Sequence, residues 1–422
     1  MATIQQRGNS YFITVSCGLD VRGKQVRQTK TWRIPENMTA KQAEKEAQRQ
    51  AFIFEESVKR GQINKAVKFE EFALEWFKEV GALKLKQRTL ANYRNYSKRV
   101  FKAIGHQRMD RLTSRDVQKL IAEMNEGARL DKYKKGKLAP KTIRNHVAFI
   151  STIFEHGIRM GIVSHNPCKA VTLPKDERTE KEIYTLEEIQ KILALLHQEP
   201  DKHFDFIVFF TLAIYCGHRR GEILGLENRD FDYERSTVTI NRTSNYTNEL
   251  GTFTDSPKTK NSYRTLKLPL EIMELVARYR EHQRKYAESI GDKWVTEIEG
   301  YKGEIVPNDR LFTQWQGLPM HPNAPGLFWE RFCVKHGIRY LNPHQMRHFN
   351  ASAQIFAGVD LKTISSNLGH STAQTTLTFY SHVFAAANAA SMDKMIELVG
   401  LPEMKGAKVS RQSEEDNLGE AG

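Results

Sequence analysis

Cysteine is scarce in this chain of 422 residues. The four present, Cys17, Cys168, Cys216 and Cys333, lie far apart and form no CxxC pair. That spacing argues against a disulfide framework or a zinc site and fits a reducing cytoplasm. Long apolar runs are also missing. The longest, Phe206 to Cys216, is interrupted by Thr211. It is too short to span a bilayer and reads as a buried core helix, so no membrane partner is expected. The opening residues, MATIQQRGNSYF, lack the basic-then-apolar layout of a signal peptide. No internal repeat is visible. At 40% hydrophobic and 27% charged, the composition is that of a soluble globular chain long enough for two to four domains.

Positive charge is plentiful and unevenly placed. The net charge is +14, with 12 Lys/Arg against 6 Asp/Glu in residues 1–65 and 25 against 14 in residues 66–182. The remaining 240 residues carry 27 against 30. A basic half joined to a near-neutral half suggests that the first half grips a polyanion, nucleic acid foremost; a merely solvated basic surface is the plainer alternative.

The pattern predicts a multidomain α+β chain. Residues 10–34 alternate like strands, with Gly18, Asp20 and Gly23 as turn residues, and a helix follows. Thr39 with Gln42 forms its capping box, Ala43, Ala47, Ala51 and Phe54 its apolar stripe, and Gly61 its end. This first module, 1–62, is a small sheet plus helix. Residues 66–172 read as all-helical, with Thr89 and Thr113 or Ser114 as candidate caps. Their aromatic residues fall at core spacing, and Lys84, Lys86, Arg88, Arg94, Lys98, Arg99, Lys141 and Arg144 on other faces are candidate phosphate contacts. The charged, aperiodic stretch 173–183 reads as a linker. A third domain, 183–400, is mainly helical with small β elements, and the polar tail 404–422 reads as disordered.

Four segments of that third domain stand out: CGHRRGEILGL at 216–226, DSPKTKNSYRTLKLP at 255–269, NPHQMRH at 342–348 and NLGHSTAQTTLTFYSH at 367–382. Each alone has a structural explanation: an Arg–Glu surface pair, a basic turn between two strands, a helical His-x-x-Arg, a packed tyrosine. Their joint order resembles the tyrosine recombinase (phage integrase) family, whose pattern Arg–Lys–His-x-x-Arg–His–Tyr falls here on Arg219, Lys258, His344, Arg347, His370 and Tyr380. The first module resembles the arm-binding domain of integrases of Gram-positive conjugative transposons and temperate phages, in which a small sheet enters the DNA major groove. Residues 66–172 resemble the family's helical core-binding domain, and 183–400 its catalytic domain. His218 departs from the family, which usually has an apolar residue there.

The resemblance implies a site-specific recombinase that integrates and excises a mobile genetic element. A chromosome- or plasmid-dimer resolvase of the Xer type and a non-catalytic DNA-binding protein retaining the fold are the alternatives. It implies Tyr380 as a nucleophile on DNA phosphorus, giving a 3′-phosphotyrosyl ester that keeps the bond's energy, with no metal, ATP or other cofactor. Two guanidiniums, Arg219 and Arg347, suit a charged, planar-oxygen transition state. A phenol of pKa about 10 needs a proton acceptor, for which His344 is the candidate, also as a phosphate hydrogen-bond donor. Lys258, with Lys260 as the alternative, would protonate the 5′ leaving oxygen. His370 would donate to a non-bridging oxygen, and Glu222 would buttress Arg219. Expected partners are double-stranded DNA at core and arm sites, three further protomers on two duplexes, an excisionase and a host DNA-bending protein, in a bacterial cytoplasm. Residues 383–401 read as a helix that docks either on its own domain or on a neighbouring protomer.

Overall fold

The computed structural model describes residues 2–19, 25–36, 38–59, 67–127, 137–175, 182–257, 260–300, 303–369 and, past these, 372, 374, 376, 377 and 380. Lys258, His370, Gly61, the helix read at 383–401 and the tail 404–422 lie outside the described residues. The backbone divides into two compact units, Met1–Glu180 and Lys181–Gly422.

The first unit opens with an antiparallel sheet of order β1-β2-β3, where β1 is Thr3–Arg7, β2 Ser10–Leu19 and β3 Gln25–Arg33. Side chains alternate across a strand. Tyr11, Ile13 and Val15 of β2 therefore share one face, where Ala43, Ala47, Ala51 and Phe54 of helix α1 (Ala40–Lys59) bury them. The predicted capping box is present: Gln42 N donates to Thr39 Oγ1 and Thr39 N to Gln42 Oε1. The opposite face leaves Arg7, Arg27, Thr29, Thr31 and Arg33 exposed.

A second core lies in α2 (Phe69–Trp76), α4 (Gln87–Val100), α5 (Ser114–Glu126) and α6 (Pro140–Arg159), while the short α3 (Ala82–Lys84) is exposed. Phe69, Phe72, Trp76, Phe149 and Phe154 are buried in it, as their spacing predicts. Thr113 caps α5, with Asp116 closing the box. Two details differ from expectation, and a third adds to it. α4 starts at Gln87 after Lys86, so Thr89 lies inside its first turn. Wider π-helical turns, Phe77–Gly81 and Phe101–Gly105, replace regular helix around Val80 and Ile104. Arg144 is anchored locally, its Nη2 donating to Pro174 O at 2.7 Å.

The second unit begins with α7 (Leu186–Leu196), capped by the Thr185–Glu188 box. Next comes α8 (Phe204–Cys216), apolar on nearly every side and buried accordingly. α9 (Arg220–Ile223) follows, then strands β4 (Phe231–Asp232), β5 (Thr237–Ile240), β6 (Thr243–Thr247), β7 (Gly251–Asp255) and β8 (Arg264–Lys267). α10 (Leu270–Ile290), β9 (Glu297–Glu299), β10 (Ile305–Pro307), α11 (Ala324–His336), α12 (His344–Phe356) and α13 (Leu361–Leu368) complete the described elements. α8 packs against α10, α11 and α12. The basic segment 256–263 does join two strands, but they belong to different sheets: β7 pairs with β6, while β8 pairs with β5. Among the described residues, no helix is long and apolar enough to cross a membrane.

Candidate active site

Two tight backbone turns organise the site. Helix α8 ends at Gly217, whose φ of +61° is the left-handed conformation that glycine adopts without strain. A Cβ there would lie 2.5 Å from Asn350 Oδ1. Helix α13 ends the same way at Gly369, φ +64°, where a Cβ would meet Arg264 Nη1 at 2.8 Å. Asn350 of α12 ties the first turn down, its Nδ2 donating to Ile214 O and Tyr215 O.

Arg347 bridges the two turns. Its Nη1 donates to Gly217 O at 2.7 Å and its Nη2 to Leu368 O at 2.6 Å. The guanidinium is buried. Burial and the neighbouring positive charge of Arg219 push its pKa down to about 9. Arg219 caps α9 and bonds to Glu222 twice: Nη1 to Oε1 at 2.7 Å, and backbone N to Oε2 at 3.0 Å. Its Nη2 donates to Gly369 O at 3.0 Å, so both predicted arginines meet the turn that precedes His370. Arg219 keeps 39% of its side chain exposed, enough for an incoming anion to reach it.

A third guanidinium, Arg264, is present that the motif order does not mark. Its Nη2 donates to Glu222 Oε2 at 2.8 Å and to His218 Nδ1 at 3.0 Å, and its Nε to Asn367 O at 2.7 Å. Burial raises the Glu222 carboxyl, but Arg264 and Arg219 outweigh it and hold the group down at about 2. His218 now has a reason to be polar. Burial and Arg264 push it down to about 3, so it is a neutral acceptor for that guanidinium. Three guanidiniums against one carboxylate leave a surplus of positive charge suited to a phosphate.

Tyr380 is buried, and its pKa is pushed up to about 12 by desolvation, with Arg347 pulling the other way. The side chain at its hydroxyl is His348, whose Nδ1 lies 2.6 Å from Oη. His344 is exposed at the first position of α12, and its ring meets that of His348 edge-on at 5.1 Å between centroids. The structure thus brings Arg219, Glu222, Arg347 and Tyr380 together, with His344 one helical turn away from the residue that touches Tyr380. His348 was legible in principle: four residues after His344, it shares that residue's helical face.

A model described as the phage integrase family matches residues 182–387, and one described as the phage integrase N-terminal SAM-like domain matches residues 68–125. A tyrosine recombinase XerC-like protein of Caldanaerobacter subterraneus is 27% identical over 417 residues, covering 93% of this chain and 97% of that protein. The ICEBs1 integrase of Bacillus subtilis is 25% identical over 262 residues, 62% of this chain and 67% of the relative. The transposase from transposon Tn916 of Enterococcus faecalis is 25% identical over 304 residues, covering 69% of this chain and 68% of that protein. Among solved structures, the Tn1549 transposon integrase in complex with transposon right end DNA shares the fold, with a TM-score of 0.62 at 21% identity, over 78% of this chain and 99% of that one. A λ integrase dimer bound to a core site gives a TM-score of 0.51 at 14% identity, over 74% of this chain and 95% of that one. The chain belongs to the phage integrase family of tyrosine recombinases and is a site-specific recombinase.

Proposed function

We propose that this recombinase integrates and excises a mobile genetic element by transesterification at Tyr380. The observation that carries the reading is the buried Tyr380 hydroxyl within the field of Arg347, with Arg219 and Arg347 both fixed on the Leu368–Gly369 turn. Arg219 and Arg347 neutralise the charge that builds on the non-bridging oxygens; held by carbonyls and Glu222, they need no reorganisation as that charge develops. His344, exposed beside them, hydrogen-bonds the phosphate. Lys258 protonates the 5′ oxygen as it leaves, with Lys260 as its alternative, and His370 donates to a non-bridging oxygen. The ester stores the bond's energy, so a 5′ hydroxyl of a second duplex displaces Tyr380 without ATP.

The wider assembly follows the same reading. The catalytic domain is 183–400, the core-binding domain 66–172 and the arm-binding domain 1–62. The exposed arginines on the open face of β1–β3 support an arm-site contact, since a β-ribbon of that size fits a major groove. Four protomers act on two duplexes, assisted by an excisionase and a DNA-bending protein, in a bacterial cytoplasm.

A nicked duplex carrying the attachment site tests the chemistry. Wild-type protein becomes covalently attached to the DNA, and Tyr380→Phe does not. Covalent attachment that persists in the Phe variant refutes the assignment.

A further inference from the structure

We propose that His348 is a catalytic residue, its Nδ1 taking the proton of Tyr380 as the phenol oxygen attacks phosphorus. The inference rests on Tyr380 being the nucleophile, and it moves the proton from His344, the candidate in the motif order, to the residue one turn further along α12.

The geometry favours the transfer. Nδ1 and Oη are 2.6 Å apart, within direct proton-transfer reach, and the rings are tilted at 53° with centroids 5.6 Å apart. Both side chains are buried. A phenol pushed up to about 12 is protonated at neutral pH, and in the His348 tautomer with its proton on Nε2 the hydroxyl donates and Nδ1 accepts. His348 is held in the interior of α12, next to Arg347 in sequence, whereas His344 is exposed at the helix's first position.

The step balances. The Oη–H bond breaks and its proton passes to Nδ1. The Oη–P bond forms and the P–O5′ bond breaks, the 5′ oxygen leaving with a proton from Lys258. On rejoining, the Oη–P bond breaks and the imidazolium returns its proton to Oη, while the incoming 5′ hydroxyl forms the new P–O5′ bond and gives its own proton to the Lys258 amine left neutral by cleavage. A separated phenolate and imidazolium would be costly in a buried site. Transfer is therefore coupled to attack, when Arg347 and the phosphate share the new charge.

Two substitutions separate proton transfer from positioning. His348→Asn puts an amide oxygen near the place of Nδ1, so it still accepts the Tyr380 hydrogen bond but cannot carry the proton. His348→Ala removes both and leaves a space for free imidazole. With full-length protein and the nicked attachment-site duplex, DNA binding by both variants should match wild type. Covalent attachment by His348→Asn should slow roughly 100-fold or more, and added imidazole should speed His348→Ala but not His348→Asn. A His348→Asn variant that attaches at the wild-type rate overturns the proposal, and it does so even if the Ala variant does not fold. Rescue of His344→Ala by imidazole in place of His348→Ala overturns it as well. Attachment by Tyr380→Phe is a separate failure, that of the nucleophile itself.

Discussion

Arginine serves two opposite ends in the two units. In the second, Arg264 and Arg347 are buried, and their guanidinium hydrogens are directed by carbonyls and by Glu222. In the first, Arg7, Arg27 and Arg33 stand on an open sheet face, and Arg27 is held by Gln25 of its own strand. A buried guanidinium is costly to desolvate and is fixed in one place, so it can stabilise a charge that exists only in the transition state. An exposed one is mobile and screened, so it contributes to affinity and its salt dependence. On the proposed reading, Arg219 and Arg347 set rate, Arg264 holds Glu222 in place for them, and the exposed arginines set grip.

The largest effect should fall on Arg219. Its replacement by Ala removes one transition-state donor and should slow covalent attachment by roughly 10²–10³-fold, about 3–4 kcal/mol, at nearly unchanged DNA affinity. Single-turnover trapping beside a binding titration measures both. Affinity lost in parallel with rate would erase the distinction between the two units.

Arg264 ranks next, and there the effect should appear in stability. Arg264→Met strips the bonds to Glu222, His218 and Asn367 O while keeping much of the side-chain volume. Denaturant unfolding of the second unit should report a loss of about 3 kcal/mol. An unchanged midpoint would mean that Arg219 alone satisfies Glu222.

Acid should act on the same network. The Glu222 carboxyl is held down from 4.5 to about 2. A depressed carboxyl contributes stability that is complete above its unfolded value and is lost as pH falls through the folded one. The Glu222-dependent part should therefore fade between about pH 4.5 and pH 2, by at most about 3 kcal/mol. Glu222→Gln should flatten that slope relative to wild type. Equal slopes in the two proteins would remove Glu222 from the acid response.

How far the sequence foretold this arrangement depends on whether a residue acts along the chain or across it. Helical spacing announced the α12 face, because His344 and Arg347 lie three apart. The Thr39–Gln42 box is equally local and formed as read. Arg264 gave no such signal: apart from Ser262 O, two residues away, the groups it bonds lie 42 to 103 residues distant. The pairing of β8 with β5 instead of β7 escaped for the same reason: strand-like composition does not name the partner strand. His348 lay inside the recognised motif, but only the placement of Tyr380, 32 residues later, gives it chemistry. His218 departs from the family's usual apolar residue, and the reason, Arg264 beside it, is visible only in the fold.

The smallest effect tests the exposed side of the comparison. Arg33→Ala on β3 removes one positive charge from the open face and, being exposed, should leave the fold intact. If that face meets phosphates, affinity for an arm-site duplex should fall by about 1 kcal/mol, and the slope of log affinity against log salt should lessen by about 1. Covalent attachment on a duplex containing the core site alone should proceed at the wild-type rate. The two readouts are needed together, because a lost charge anywhere on a basic protein weakens binding somewhat. Only a phosphate contact made by this sheet changes the arm-site salt slope while leaving core-site binding alone. An equal change on both duplexes would reduce the open face to general surface charge, and slower core-site attachment would tie it to the reaction itself.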